Sequence, residues 1–273
     1  MVVLAVGEMP ELPAAVASLS AQGVAFEIVV VHPATALAGD PAWLPSGVRH
    51  LRAAELLPTG AARNAGIAAT RAPWVAFLAG DNRALPGWAA GRLAAHRSGR
   101  AVVAAAVVNG SPASLVAWAG CIALHHRRWP RVPAHEALLY GCSYERAMLE
   151  RVGGFRDELA AGEDTELNAR LSAAGAPAAW TPAGRATQPY PTRLGDLLRD
   201  HARRGENAAR AWLALGDAVR ADEVSRGSYV RAIRALRFAL RYAEPGERGR
   251  VTLAAPLVTL AARGYALGAR RIR

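Results

Sequence analysis

Four short apolar runs limit what this chain can fold into. Val2–Val6, Phe26–Val31, Trp74–Leu78 and Ala101–Val108 are rich in valine and other strand-favouring residues, and Glu27 is the one charge among them. A short apolar run without polar alternation is the pattern of a strand covered on both faces. Between the runs lie segments with helical periodicity, at Leu12–Ala21, Gly60–Thr70 and Pro86–Arg97, and Val48–Leu51 offers a further strand. Strand alternating with helix predicts a mostly parallel sheet flanked by helices, an α/β fold of the Rossmann-like kind. At 52% hydrophobic and 20% charged, 273 residues suffice for a substantial core.

Beyond the fourth run the pattern weakens. From Asn109 to Tyr140 no period is clean, and HHRRWPRVP reads as a loop or a partly helical insertion. Tyr144–Val152 predicts a helix stopped by Gly153-Gly154, and Asp164–Ala174 another stopped by Gly175. After Trp180 the chain reads as helical, over 192–216, 225–243 and 250–268. The break near Gly184–Pro191 divides an α/β body, residues 1–191, from a helical C-terminal extension, residues 192–273.

In open α/β sheets, ligands collect beyond the carboxyl ends of the strands. Gly7 and Glu8 follow the first strand, His32 and Pro33 follow FEIVVV, and Ala79, Gly80, Asp81 and Asn82 follow WVAFL. Farther on, GEDTEL puts Glu163 and Asp164 at the start of a helix, where acids also complement the helix dipole. No GxGxxG follows the first strand, no GxSxG occurs, and a chain without lysine has no P-loop. His125 and His126 lack a partner at metal-ligand spacing and suit a solvated or loop position. Cys121 and Cys142 form neither a ligand pair nor a disulfide framework, which points to a reducing compartment.

Several spaced segments together resemble family 2 glycosyltransferases of the GT-A fold, over most of residues 1–210. VVLAVGEMPELPAAVASLSAQ resembles the family's first strand and helix. GAARNAGIAATRAPWVAFLAGDN resembles its ARN-G-I helix followed by FLDxD. GCSYERAMLERVGGFRDELAAGEDTELNARLSAAG resembles the acceptor-side block of GGF, ED and RL, and is the most specific match.

The resemblance implies an inverting, metal-assisted transfer of a sugar from a nucleotide-sugar to a hydroxyl on a glycan, a lipid-linked molecule or a small molecule. It makes Asp164 the catalytic base and Glu163 a neighbour that orients it or touches the acceptor, and puts Arg63, Asn64, Asp81 and His32 at the donor. It also makes Asp81 the ligand of Mg²⁺ or Mn²⁺. Ala79 stands where the first acid of FLDxD is expected, His32 and Pro33 replace paired acids, and Ala5, Gly7 and Glu8 replace nucleotide contacts. Gln188 stands near a position often held by a metal-binding histidine. These departures fall on the donor side. They fit either an unusual donor or a chain that keeps the fold to bind a glycan or a partner enzyme without catalysis. The segment after the ED block resembles a helix that closes over the substrate, with Arg199, Arg203 or Arg204 toward the diphosphate.

The net charge of +11 is concentrated in the tail, where Arg193–Arg273 holds 17 arginines against 8 acids. In SYVRAIRALRFALRY, helical spacing puts Arg231, Arg234, Arg237 and Arg241 on one side and Tyr229, Ile233, Leu236 and Leu240 on the other. Such a helix either packs on the body with its arginines in water or meets an anionic membrane surface. Stacking aromatics are not interleaved with the charges, which argues against nucleic acid. Without a basic, apolar leader or an unbroken spanning segment, the expectation is a cytoplasmic protein, either free or peripheral at the inner face of the membrane.

Overall fold

The computed structural model describes residues 2–4, 10–33, 42–217, 222–224 and 228–272. In chain order the elements begin with β1 (Val2–Leu4), α1 (Leu12–Ser20), β2 (Ile28–Pro33), β3 (Val48–Ala53), α2 (Thr59–Ala68), β4 (Trp74–Ala79), β5 (Arg83–Ala84), α3 (Trp88–Arg97) and β6 (Val102–Asn109). Then come α4 (Leu115–His125), β7 (Ser143–Glu145), α5 (Arg146–Arg151), α6 (Glu163–Ala173), β8 (Ala179–Gln188), α7 (Leu194–Ala214), α8 (Ser228–Tyr242), α9 (Arg248–Leu253) and α10 (Ala255–Arg270). The chain divides into two compact units, Met1–Ala106 with Leu139–Thr187, and Val107–Leu138 with Gln188–Arg273.

The strands form one sheet in the order β3-β2-β1-β4-β7-β6-β8-β5. It is mixed. β3, β2, β1 and β4 run parallel, with Val3 of β1 opposite Val30 and Leu78. β7 runs antiparallel to β4 and β6, and β5 antiparallel to β8. The apolar runs have the expected cause. In β2, Val29 and Val31 enter one core cluster while Ile28 and Val30 enter another, so both faces of the strand are covered.

Three elements were not legible. The segment LVAWAGCIALH forms α4, capped by the Ser114 hydroxyl accepting from the Ala117 amide at 3.3 Å. Six consecutive residues, Ala117–Ile122, are buried, so the helix is apolar all round and has no stripe to detect. Ser143–Glu145 is a strand where a helix was expected to begin, and α5 starts only at Arg146. AWTPAGRATQ forms β8 despite its proline and glycine, residues that normally argue against a strand.

In the second unit α8 packs differently from the expected face. Its buried line is Ala232, Ala235 and Ala239, continued by Ala243, while Tyr229 and Leu240 are exposed. Close approach also governs α7 against α10. A Cβ on Gly205 would stand 1.9 Å from the Tyr265 carbonyl oxygen, and one on Gly268 1.9 Å from that of Ala202. Gly→Ala in an open helix gains about 1 kcal/mol. Here overpacking costs about 1–3 kcal/mol and outweighs that gain. Gly205→Ala and Gly268→Ala should each lower the melting temperature by a few degrees, roughly 2–4 °C per kcal/mol for a chain of this size. A rise in a circular-dichroism melt would contradict the close crossing.

Candidate functional site

The chemistry is built around three aromatic rings in the first unit. Phe77 of β4, Tyr144 of β7 and Phe155 after α5 meet edge to face, with centroids 5.4 to 6.1 Å apart. The Arg63 guanidinium from α2 lies 5.2 Å from the Phe77 centroid and 5.0 Å from that of Phe155. Ring faces carry partial negative charge and exclude water, which suits a buried cation. Arg63 Nη2 donates to Glu163 Oε1 at 2.7 Å, and the two side chains are 13% and 8% exposed.

Glu163 and Asp164 open α6, behind Gly162 in the left-handed region at φ 76°. Free amides at a helix N-terminus favour negative charge there. Even so, burial raises the Glu163 pKa above its ordinary 4.5. The Arg63 charge opposes that rise and the Asp164 charge adds to it. Asp164 is half-buried and has no hydrogen bond or ion pair among the described residues. Its charge also reaches Tyr144, whose hydroxyl is held far above its usual range, first by burial and then by Cys142 and Asp164. Adjacent carboxylates thus differ: one is spent on a buried arginine and the other is open.

The turn before α6 is locked from both sides. Asn64 Nδ2 donates to the Phe155 carbonyl at 2.8 Å and to Asp157 Oδ1 at 2.7 Å, and Asn64 Oδ1 accepts from the Phe155 amide at 3.0 Å. Gly154 has φ +69°, and a Cβ there would lie 2.9 Å from Asn64 Oδ1. From the α6 side, Arg170 grips Glu166 with two 2.7 Å bonds and donates to the Val152 and Gly154 carbonyls. Arg156 reaches the same carboxylate at 3.0 Å. The sequence reading missed this Glu166–Arg170–Arg156 cluster. Its signal was the i, i+4 spacing of Glu166 and Arg170.

The remaining expected residues are more scattered. Asp81 is half-buried in the turn between β4 and β5, next to an exposed Ala79. His32 is buried in β2, edge-on to His50 at 5.8 Å. Ala5, Gly7 and Glu8 lie outside the described residues. In the second unit, Arg199 pairs with Asp196, and both Arg203 and Arg204 pair with Asp200. Gln188 ends β8, its amide 3.3 Å from the Pro189 carbonyl. His125 and His126, expected in a solvated or loop position, are half-buried at the end of α4 and in the turn after it: His125 Nδ1 bonds the Tyr190 hydroxyl at 2.6 Å, and His126 Nδ1 bonds the Ile122 carbonyl at 2.6 Å. Burial, helped by Arg128 and Arg204, holds His125 well below its usual 6.5, and burial brings His126 down to about 4.

The family profile described as Glycosyl transferase family 2 matches residues 1–138. The chain belongs to that family. Among solved structures it is similar to a mannosyltransferase of Pyrobaculum calidifontis determined with GDP-mannose and Mn²⁺. The identity is 18% and the TM-score 0.55, over 96% of this chain and 85% of the other, a likeness of fold. No curated protein sequence matches.

Whether a family 2 metal ion fits can be judged at the β4–β5 turn. No group of three or more His, Cys, Asp or Glu side chains that could hold an ion occurs among the described residues. Mg²⁺ and Mn²⁺ in such sites use one or two protein carboxylates and take the remaining oxygens from phosphate and water. Asp81 supplies one carboxylate. Beside it, Asn82 Oδ1 is a buried oxygen with no hydrogen-bond partner among the described residues. The donor set therefore fits an ion completed by the substrate.

The buried pair gives a direct test. Replacing Arg63 by Met leaves Glu163 uncompensated, and breaking such a pair costs about 3–5 kcal/mol. Because folding raises the Glu163 pKa, the native state holds that proton more tightly than the unfolded chain. Its contribution to stability therefore falls as pH rises from 4.5 through the native value. Urea melts of Arg63→Met should show the loss deepening over that window. Adding Glu163→Gln should recover part of it and flatten the pH dependence. A pH-independent loss, unchanged by Glu163→Gln, would contradict this account.

Proposed function

We propose that the chain transfers a sugar, with inversion at the anomeric carbon, from a nucleotide-sugar to a hydroxyl acceptor. The observation that carries this reading is the contrast at the start of α6. Glu163 is buried against Arg63, while Asp164 beside it has no hydrogen bond or ion pair among the described residues. A base must accept a proton, and a carboxylate already committed to a guanidinium is poorly suited to do so.

In this reading Asp164 takes the acceptor hydroxyl proton as that oxygen attacks the anomeric carbon, and the nucleoside diphosphate departs. Glu163 orients Asp164 by fixing the first turn of α6. Asn64, Glu166, Arg170 and Arg156 hold the Gly153–Asp157 turn against that helix, so the base is kept in register. Asp81, with Asn82 beside it, would hold Mg²⁺ or Mn²⁺ against the donor phosphates. When bound, the ion offsets the charge developing on the leaving diphosphate. His32, buried in β2 on the far side of β1 from β4, would border the donor from that side. GDP-mannose is the first donor to try, because the similar mannosyltransferase was determined with it.

A second reading rests on Ala79. A position where the family carries an acid is an exposed alanine, which favours a fold kept for binding a glycan or partner enzyme without transfer. The two readings part on one variant. In a transfer assay over a panel of nucleotide-sugars and acceptors, Asp164→Asn should lower kcat by about 10²–10⁴-fold with donor binding unchanged. Absence of turnover by the wild type, or an Asp164→Asn variant as active as wild type, would contradict the enzymatic reading.

A further inference from the structure

From Arg248 to Arg273 the chain carries six arginines and no acid. α9 and α10 turn one side inward, through Val251, Ala254, Val258, Ala261 and Ala269. Three leucines are left outside, Leu253 at 65% exposed, Leu260 at 39% and Leu267 at 48%, while Leu257 packs against the core. Leu260 and Leu267 lie two helical turns apart on one side of α10, with Arg263 and Arg270 along one flank and Arg271 along the other. A groove of about 720 Å³ runs beside them, lined among others by Leu198, Leu260, Leu267, Arg199, Arg263 and Arg271. Arg271 is 3.2 Å from Glu206 and Arg199 pairs with Asp196, whereas Arg263 has no ion pair among the described residues.

We propose that this face of α10 docks the protein on an anionic lipid bilayer. The leucines enter the acyl boundary, and the arginines extend their charged ends to the lipid phosphates. Charge decides the occupant. A second copy related by two-fold symmetry would bring two arginine-rich faces together, with Arg199, Arg203, Arg263 and Arg271 set against Glu206 in each groove. Nucleic acid would satisfy the arginines but leave the leucines in water. An anionic bilayer accommodates both. No described helix is long and apolar enough to cross a membrane by itself, and the helix pair that is, when taken together, bends by 61°. In the proposed contact α10 lies along the surface.

The test is vesicle flotation of the full chain. The chain should float with phosphatidylcholine vesicles containing phosphatidylglycerol and stay down with pure phosphatidylcholine. Binding should weaken between about 0.1 M and 1 M salt as the screening length shortens. Arg263→Glu, and separately the double variant Leu260→Glu/Leu267→Glu, should each weaken partition by about tenfold or more. Arg97→Glu, on an exposed position of the first unit, should not. If the leucine variant melts abnormally, Arg263→Glu decides, since its exposed side chain supports no ion pair among the described residues. Absence of flotation, equal binding to both vesicle types, or full binding by Arg263→Glu would overturn the proposal. So would a dimer in sedimentation that the leucine variant dissociates. The inference does not depend on sugar transfer, so failure here leaves the nucleotide chemistry untouched.

Discussion

A guanidinium held between two aromatic faces and one buried carboxylate organises the first unit. Arg63 cannot shed its charge, so once α2 packs on the sheet it must find an anion inside. Glu163 is that anion, and meeting it fixes where α6 begins. The rings of Phe77 and Phe155 keep water from competing. Because Glu163 is the residue committed, its neighbour Asp164 is left as the open carboxylate. One ion pair thus sets the packing of α6 and leaves two adjacent acids in different surroundings.

The parallel half of the sheet was legible because β2 and β4 are apolar on both faces, and length and valine content mark such runs. The start of α6 was legible because Gly162 and the acids after it form a helix-entry pattern. α4 was hidden because burial on every side leaves no period. β7 is three residues long, and its helical successor gives the stronger signal. β8 carries Pro182 and Gly184, which argue against a strand until its partners are known. At the site, Glu163, Asp164 and Arg63 were marked from sequence, but their pairing was not. Residue spacing does not say which of two acids an arginine 100 positions away will take. Asn64 shows a similar limit: its amide is engaged with the turn at Phe155 and Asp157, a contact that only the fold brings about.

Much of the basic character of the second unit is internally balanced. Arg203 and Arg204 share Asp200, Arg199 holds Asp196, and Arg241 lies 3.5 Å from Glu136. Small residues do the packing, with alanines along α8 and glycines at the α7–α10 crossing. Using alanine inward leaves the larger leucines outward, which is the reverse of a monomer's usual economy of apolar surface. The amphipathic pattern seen in α8 was real as a periodicity, but the alanine line, not the leucine line, is the buried one.

The central claim is that the first unit presents a working donor site at the end of β4, despite Ala79. Calorimetric titration with GDP-, UDP-, dTDP- and CMP-sugars, with and without Mn²⁺, tests it most directly. The account predicts binding of one nucleotide class, strengthened by Mn²⁺, with the metal effect lost in Asp81→Ala. Absence of binding to any nucleotide-sugar, or metal-enhanced binding that persists in Asp81→Ala, would contradict it.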